Sequence, residues 1–338
     1  MRGAGLWRQW LLLALCWLCS AAPGHGAGGS VRIWLVLSDG GRLYQSFAAT
    51  LRQSLPPALP LSVVERAEDF TADGQAGDMI VTVGSKAAET VAGRTGLPLL
   101  AVMLPHRKYA DLLARRPPGS QTSALYLDQP WARQAGLLRA ALPEHSQIGV
   151  LYSPASRLDL NELRRQLAAR GAQLFARQSG APDRLAGDLD EVLAHSDVLL
   201  ALPDSDIYNS NNIRNILLSS YHRGVPLVGF SQALVNAGGL IALFSTPEQL
   251  ATQAGAAVAA FTQTRRLAEP QYPALYSIAV NQEVARTLRA SLPSVDALRQ
   301  QLDKSPGSLP DLSDRREPGG RSGAADQPQA RQAARSPQ

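Results

Sequence analysis

Short apolar runs alternate with polar, helix-compatible segments along most of the chain. The clearest example is residues 197–244, where apolar runs at 197–202, 225–230 and 239–244 are separated by polar segments. This order predicts strand, helix, strand, helix, strand, which is the alternation of a parallel α/β layer. The pattern therefore places the protein in the α/β class.

The alternation occurs in two series. The first predicts helices at 42–55 and 84–92 among strands at 31–37, 61–64, 78–83, 98–103 and 124–127. The second begins at Asp128 and, before 197–244, predicts helices at 130–141, 156–171 and 183–194 and strands at 148–152 and 172–175. Three further segments follow: a helix at 247–262, an extended segment at 272–280 and a short helix at 281–288. Two series of four or five strands imply two lobes of parallel sheet flanked by helices, with a hinge near Asp128.

Each predicted lobe combines two separate parts of the chain. We expect lobe 1 to comprise residues 30–128 and about 246–275, and lobe 2 to comprise residues 129–245 and about 276–302. The 338 residues, 45% of them hydrophobic, are enough for two cores. From about residue 306 the composition shifts to Pro, Gly, Ser, Gln and Arg. We predict that 306–338 is a disordered tail, because it cannot bury enough apolar surface to offset its ordering entropy.

The first 26 residues are typical of a secretory signal peptide. Two arginines precede an apolar run that is too short to span a bilayer, and small residues follow it. Both cysteines of the chain, Cys16 and Cys19, lie in this segment, so the processed protein would have no disulfide. The bulky Leu15 and Leu18 before them argue against a lipid-attached cysteine. We therefore predict a periplasmic protein that lacks a lipid anchor.

The charge balance shows no sign of a nucleic-acid surface. The formal charge of +5 falls to +3 without residues 1–26, which contain Arg2, Arg8 and no acid. Five of the remaining arginines lie in the predicted tail: Arg315, Arg316, Arg321, Arg331 and Arg335. The folded part therefore has no evident basic stripe, and we expect no nucleic-acid partner. We also expect a monomer.

Nine candidate ligand-binding residues follow predicted strands. They are Ser38, Asp39, Gly84, Ser85, Ser153, Asp204, Tyr208, Asn209 and Ser231. If the carboxyl ends of both sheets face a common cleft, these residues converge on one ligand. The alternative is that Ser, Asp and Gly follow strands because turns and helix caps need them. In particular, Asp204 or Asp206 could cap the helix that follows.

Metal and cofactor signatures are absent from the sequence. The five histidines lack metal-ligand spacing, and no nucleophile elbow, phosphate-loop lysine motif or dinucleotide glycine fingerprint occurs. We therefore expect no cofactor, no metal and no catalytic residue.

Several segments resemble one known family. They are VTVGSKAAETV at 81–91, YLDQPWARQAGLLRAALPEHSQIGVLYS at 126–153, IAVNQEVARTL at 278–288, and the stretch from ALPDSDIYNSNN to STPEQLATQAG at 201–255. In this order they are similar to the ABC transporter periplasmic substrate-binding protein-like family, which has the type I periplasmic-binding-protein fold. The resemblance implies two Rossmann-like lobes that close on a small molecule.

The resemblance also implies roles for particular residues. Ligand contacts transfer to Gly84, Ser85, Asp204 and Tyr208, and less directly to Ser231. The sequence YNSNN at 208–212 departs from the better-understood amino-acid binders, so the identity of the ligand does not transfer.

The expected function is capture of a small organic molecule, such as an amino acid or related solute. The protein would serve an ABC permease or a membrane sensor kinase and would not be an enzyme. Two alternatives remain. A two-lobed enzyme would lose turnover when Asp39 or Asp204 is replaced by alanine, and a ligand-free periplasmic adaptor would bind no solute.

Overall fold

The computed structural model describes most of the chain between the predicted signal peptide and the predicted tail. The described residues are 31–71, 78–156, 158, 160–181 and 183–304. The predicted signal peptide at 1–26 and the predicted tail at 306–338 lie outside them. All described residues belong to one compact unit.

The first sheet has five parallel strands in the order β2-β1-β3-β4-β5. Its strands are β1 (Ile33–Leu37), β2 (Leu61–Val64), β3 (Met79–Val83), β4 (Leu99–Leu104) and β5 (Thr122–Tyr126). The helices between them are α1 (Arg42–Ser54), α2 (Ser85–Ala92) and α3 (Tyr109–Arg115). In the central register Ile33 lies opposite both Leu61 and Met79. The inner strands are nearly continuous apolar runs because helices cover both faces of the sheet.

The second sheet has six strands in the order β11-β10-β9-β8-β6-β7. Its strands are β6 (Gln147–Tyr152), β7 (Gln173–Gln178), β8 (Val198–Leu200), β9 (Leu227–Gly229), β10 (Ile241–Phe244) and β11 (Ser277–Val280). The other helices are α4 (Trp131–Ala141), α5 (Leu160–Ala168), α6 (Leu185–Ala194), α7 (Ile213–His222), α8 (Gln232–Asn236), α9 (Pro247–Thr264), α10 (Gln282–Thr287) and α11 (Val295–Asp303). β11 joins β10 in antiparallel pairing, and the remaining pairs of this sheet are parallel.

The predicted α/β class and the two mostly parallel sheets are confirmed. One expectation about elements was wrong, and two helices were not predicted. The second sheet has six strands rather than four or five, because part of the extended segment at 272–280 pairs with β10 as β11. Helices α3 and α11 were not predicted, although Ser294 caps the amide of Ala297 at the start of α11.

Each sheet is covered on both faces. One face of the first sheet packs against α1 and α9, where Phe47 and Phe261 are almost fully buried. Burial of a side chain of this size contributes about 2 kcal/mol. The opposite face packs against α2 and α3 through residues such as Val91 and Leu112. In the second sheet, α4, α5 and α11 cover one face, and α6 and α7 cover the other.

Three segments connect elements of one sheet with elements packed on the other: 127–130, 245–246 and 265–276. The second begins α9 with a capping box, in which the Thr246 hydroxyl accepts from the Gln249 amide and the Gln249 side chain accepts from the Thr246 amide. Pro247 occupies the first turn of that helix, where a missing N–H costs little. The sharp start directs α9 back onto the first sheet.

Candidate functional site

A cavity of about 750 Å³ lies where the carboxyl ends of the two sheets meet. The first sheet contributes residues that follow β1, β3, β4 and β5, and the second contributes residues that follow β8, β9 and β10. In open parallel sheets, ligands bind at this edge. A cavity of this volume can enclose a small organic molecule.

Ser38 connects two loops of the first-sheet wall. Its hydroxyl donates to the Val83 carbonyl at 2.8 Å and accepts from the Ala87 amide at 3.1 Å. The loop after β1 is thereby fixed to the first turn of α2. Ser38 is buried and lines the cavity, but its main hydrogen bonds are internal.

Gly84 sits at the start of α2 in a conformation that suits glycine, with φ of +88°. A Cβ at this position would approach the Ser38 hydroxyl oxygen to 2.5 Å and the Tyr44 hydroxyl oxygen to 2.9 Å. Ser85 follows Gly84 and also lines the cavity. Asp39 is exposed and lines the cavity too, and its carboxylate accepts a hydrogen bond from the Gly41 amide at 2.7 Å. The wall is therefore tightly packed around a backbone that needs a glycine.

Met103 adds a strained backbone to this wall. Its φ is +57°, and the pairing of β4 with β5 shifts register between Val102 and Leu104. Left-handed conformations are uncommon for residues other than glycine and are found disproportionately at functional sites. Met103 lines the cavity at this point.

The rest of the lining, contributed by both sheets, has many apolar residues. Ser231 caps α8 by accepting from the Leu234 amide at 3.2 Å, and it borders the cavity. Large apolar or aromatic residues supply much of the remaining lining: Leu43, Tyr44, Met103, Leu127, Trp131, Leu202, Phe230, Leu243 and Phe244. Aromatic walls of this kind favour a ligand with a flat apolar part.

Acidic groups outnumber basic ones in the lining. Asp39, Asp128 and Glu248 border the cavity, whereas the lining cation, Lys86, pairs with Glu68 at 2.6 Å. Burial raises the pKa of the Asp128 carboxyl, and a hydrogen bond from the His106 amide opposes this effect only in part. The lining therefore favours neutral or cationic solutes over anionic ones.

The structure brings five of the nine predicted residues to this cavity: Ser38, Asp39, Gly84, Ser85 and Ser231. Four do not line it, so the expected convergence of all nine on one hollow does not occur. Ser153 and Asn209 border a separate groove on the second sheet, and Asp204 borders a smaller hollow. Tyr208 is buried in the core beside α6 and α7.

The Asp204 carboxylate is hydrogen-bonded to other groups of the protein. Its carboxylate accepts from the Ser153 amide at 2.7 Å, from the Asp206 amide at 3.0 Å and from the Ser156 hydroxyl. Burial opposes ionisation, but the hydrogen bonds from Ser156, Ser153 and Asp206 outweigh it and lower the pKa of Asp204. The carboxylate thus joins the ends of β6 and β8, the neighbouring strands at which the strand order of the second sheet reverses.

Tyr208 is packed in the core with its hydroxyl unpaired among the described residues, and Asn209 is hydrogen-bonded within its own loop. Tyr208 packs edge-on against Phe230 with ring centroids 6.1 Å apart, and burial raises the pKa of its hydroxyl. The Asn209 amide nitrogen donates to the Ser205 carbonyl, and its oxygen accepts from the amides of Asn211 and Asn212. The polar loop is therefore a set of local turns, which was the alternative interpretation of the sequence.

A hollow of about 270 Å³ adjoins the cavity. Five residues border both spaces: Asp128, Gln129, Trp131, Leu202 and Pro203. At the smaller hollow, the loop after β4 meets the loop after β6, where Arg107 Nη1 donates to the Ala155 carbonyl at 3.2 Å. The gap between the sheets is thus divided into two connected compartments.

Sequence reasoning missed most of the apolar lining and Gln134. In the sequence, Phe230 and Phe244 are only the ends of apolar runs, and Trp131 and Gln134 are only positions in a predicted helix. A usable signal was present for Trp131 and Gln134. Spaced three residues apart, they share one face of α4 immediately after the crossover that carries Asp128.

No helix in the described part of the chain has both the length and the apolar character that a membrane crossing requires. Among the described residues, no group of three or more His, Cys, Asp and Glu side chains is arranged to hold a metal ion.

Sequence comparisons find no relative. No family model matches the chain, and none of the curated proteins matches it.

Solved structures share the architecture at low sequence identity. A substrate binding protein with adhesive properties from Clostridium difficile, in a ligand-free, open form, has a TM-score of 0.63 and 14% identity, over 78% of this chain and 96% of that chain. A conserved domain protein from Vibrio cholerae has a TM-score of 0.59 and 18% identity, over 80% and 98%. An ABC domain in complex with L-Trp from Streptococcus pneumoniae has a TM-score of 0.58 and 16% identity, over 80% and 98%.

The two sheets and the cavity between their carboxyl ends define a two-lobed α/β binding-protein architecture. The chain has the type I periplasmic-binding-protein fold, as the sequence resemblance implied.

Proposed function

We propose that the protein is a periplasmic solute-binding protein that captures a small organic molecule in the cavity between its two sheets. The main support is that the carboxyl ends of both sheets border one hollow of about 750 Å³. Ser38, Asp39, Gly84, Ser85 and Ser231 would provide its polar rim. In this proposal Ser153, Asp204, Tyr208 and Asn209 hold the second-sheet loops in place.

The function would require no chemical reaction. A solute that touches both sheets favours the closed arrangement, because some of its contacts exist only there. The lobes would be residues 30–128 with about 246–275 and residues 129–245 with about 276–302. They would rotate about the connecting segments near Asp128, and an ABC-type permease or a membrane sensor kinase would recognise the closed form.

The chemical nature of the lining narrows the class of solute that the cavity would bind. Aromatic and aliphatic side chains dominate it, and acids outnumber bases. The L-Trp of the Streptococcus pneumoniae structure makes an amino acid or a related compound with a flat apolar part a reasonable candidate.

The test is isothermal titration of the purified protein with pools of amino acids, nucleosides and sugars. We expect one pool to bind the wild type. Ala233→Trp, which places a large side chain in the cavity, should abolish this binding. Ala110→Trp, on the exposed side of α3, should retain it. Absence of binding by a folded sample across all pools would contradict the proposal and favour a ligand-free adaptor.

The enzyme alternative makes a different prediction. It requires that a bound compound be consumed and that turnover fall in Asp39→Ala. We expect the bound compound to be recovered unchanged by mass spectrometry, and its conversion would overturn the solute-binding proposal.

A further inference from the structure

Four partly exposed aromatic side chains border the cavity. They belong to Tyr44, Trp131, Phe230 and Phe244. Leu43, beside Tyr44 on α1, also borders the cavity and is 46% exposed. Apolar surface that faces water is unfavourable, and a solute with an apolar ring would cover it. Because the faces of aromatic rings also attract cations, such a solute can carry a positive charge.

Two carboxylates lie at the start of α1, close to part of this apolar surface. Asp39 and Glu248 both border the cavity and are exposed. A Cβ built on Gly41 would lie 2.8 Å from Asp39 Oδ1 and 3.8 Å from the Tyr44 ring, so this carboxylate and the ring are neighbours. Glu248 accepts a hydrogen bond from the Ser46 hydroxyl, in the second turn of the same helix. A solute that covers this surface would therefore lie next to negative charge.

The described residues of the lining offer no free positive charge in return. They include no arginine and no histidine, and Lys86 Nζ pairs with Glu68 Oε1 at 2.6 Å. A carboxylate on the solute would thus meet exposed acids and a lysine that already has an acidic partner. Like charges at close range are strongly unfavourable in a binding site.

The helix starts around the cavity are also supplied with oxygens. Four helices, α1, α2, α8 and α9, begin at the cavity, and helix N-termini commonly bind anions. At each start an oxygen of the protein already accepts from a backbone amide. These oxygens belong to Asp39 at α1, Ser38 at α2, Ser231 at α8 and Thr246 at α9. A carboxylate on the solute would have to compete with them.

We propose that the cavity selects aromatic organic cations that carry no carboxylate, and that Asp39 and Glu248 select the positive charge. This inference rests on the proposed solute-binding function and deepens it by naming the charge of the solute. The aromatic side chains would cover the ring of the solute, while the two acids attract its ammonium group. Among compounds with a flat apolar part, the cavity would thus prefer an aromatic amine to the corresponding amino acid.

Matched series of compounds test the proposal directly. Tryptamine, tryptophan and indolepropionate share one ring, as do phenethylamine, phenylalanine and hydrocinnamate. Near neutral pH the members of each series are a cation, a zwitterion and an anion. Dissociation constants would be measured by ligand-observed NMR titration of the full chain. We expect each amine to bind at least about tenfold more tightly than its amino acid, and each anion to bind most weakly.

Variants assign the charge selection to the two acids. Asp39→Asn and Glu248→Gln remove a charge but keep an oxygen that can accept from the Gly41 amide and the Ser46 hydroxyl. Each should weaken amine binding by about threefold, and the double variant by about tenfold. None of them should weaken binding of the anions.

A matched control separates a local effect from a change in the overall charge. Asp206→Asn removes an exposed acid that borders the separate groove of the second sheet, and it should leave every dissociation constant unchanged. Circular dichroism checks that each variant is folded. If the double variant does not fold, the two single variants give the same test.

The opposite results would overturn the inference. An amino acid that binds as tightly as its amine would mean that the cavity accepts a carboxylate. Unchanged amine binding in both single variants and in the double variant would mean that other groups select the charge. If no compound of either series binds while a pool of the earlier titration does, the proposed solute class is wrong but solute binding stands. If neither the series nor the pools bind, the proposed function is wrong as well.

Discussion

At the residue scale, the two sheets differ in how they use the point where strand order reverses. In the first sheet, the loops after β1 and β3 border the cavity through Asp39 and Gly84. In the second, the Asp204 carboxylate fills the equivalent place between β6 and β8 and satisfies the Ser153 amide. The loops at the first point therefore border the large cavity, whereas the Asp204 carboxylate at the second is hydrogen-bonded to the protein and borders only the smaller hollow.

Replacement of Asp204 should therefore destabilise the fold. We expect Asp204→Ala to lower the free energy of unfolding by about 3 kcal/mol, because the buried donors of Ser153 and Ser156 lose a charged acceptor. Urea denaturation followed by circular dichroism measures it. Asp206→Ala, an exposed neighbour, should change stability by less than about 0.5 kcal/mol. Equal effects of the two substitutions would contradict the assigned role.

The pKa of Asp204 gives this prediction a pH dependence. The pKa of Asp204 in the folded state lies below its pKa in the unfolded state, which is about 3.9. The ionised carboxylate therefore stabilises the fold at pH values above the unfolded-state pKa. This stabilisation is lost as the pH falls through the folded-state pKa. The difference in stability between wild type and Asp204→Ala should thus be greatest near neutral pH and shrink in acid.

Gly84 allows a second residue-scale prediction. Gly84→Ala should lower the free energy of unfolding by about 2 kcal/mol, because its φ is positive and its Cβ would collide with Ser38 and Tyr44. It should also weaken solute binding, since both neighbours line the cavity. Thermal denaturation and titration measure the two effects. Gly96→Ala has open space around it and should be near neutral.

At the scale of elements, the connecting segments are held by a buried polar network. Arg133 Nη1 donates to the Pro273 carbonyl at 2.9 Å and to Gln129, and its guanidinium lies 4.6 Å from the centre of the Tyr276 ring. Ser245 accepts from Gln129 and donates to the Leu275 carbonyl at 2.6 Å. The network thereby joins all three connecting segments.

Arg133 should be essential to this arrangement. We expect Arg133→Met to lower the free energy of unfolding by about 3 kcal/mol, because methionine fills space but leaves the Gln129 and Pro273 oxygens unpaired. Chemical denaturation provides the measurement. Arg139→Met changes an exposed arginine of the same helix and should be nearly neutral. A small effect of Arg133→Met would show that the network is dispensable.

The elements were more predictable than the site. Buried parallel strands such as β3 are short apolar runs, so the local sequence suffices to locate them. Asp204 could not be assigned in the same way, because its partner Ser153 is 51 positions away and competes with any solute for the same carboxylate. The apolar lining could not be predicted for a related reason. The local sequence around Phe230, at the end of a strand, does not distinguish a side chain that faces a core from one that faces a cavity.

At the scale of the whole molecule, Asp128 lies where the sheets meet and borders both hollows. Its raised pKa means that the folded state holds the proton more tightly than the unfolded state. The protonated form therefore contributes stability below the unfolded pKa of about 3.9, and this contribution is lost as pH rises through the folded value. Near neutral pH the partly buried charge opposes folding.

Asp128→Asn should consequently be more stable than the wild type at pH 7 and lose this advantage below about pH 4. Asparagine keeps an oxygen that can accept from the His106 amide. Melting temperatures across this pH range measure the effect. Asp206→Asn, at an exposed site, should show no such crossover. A wild type that remains more stable than Asp128→Asn at pH 7 would contradict the assignment.

The return of α9 to the first sheet has a consequence for how the chain acquires its shape during synthesis. Leu250, Val258 and Phe261 complete the apolar layer over β1 and β3, yet they leave the ribosome only after every strand from β6 to β10. A nascent chain that stops at residue 130 would thus expose one side of an otherwise finished sheet to water. Neither half can mature as an uninterrupted fragment, and the long-range pairing of α1 with α9 should make folding slow.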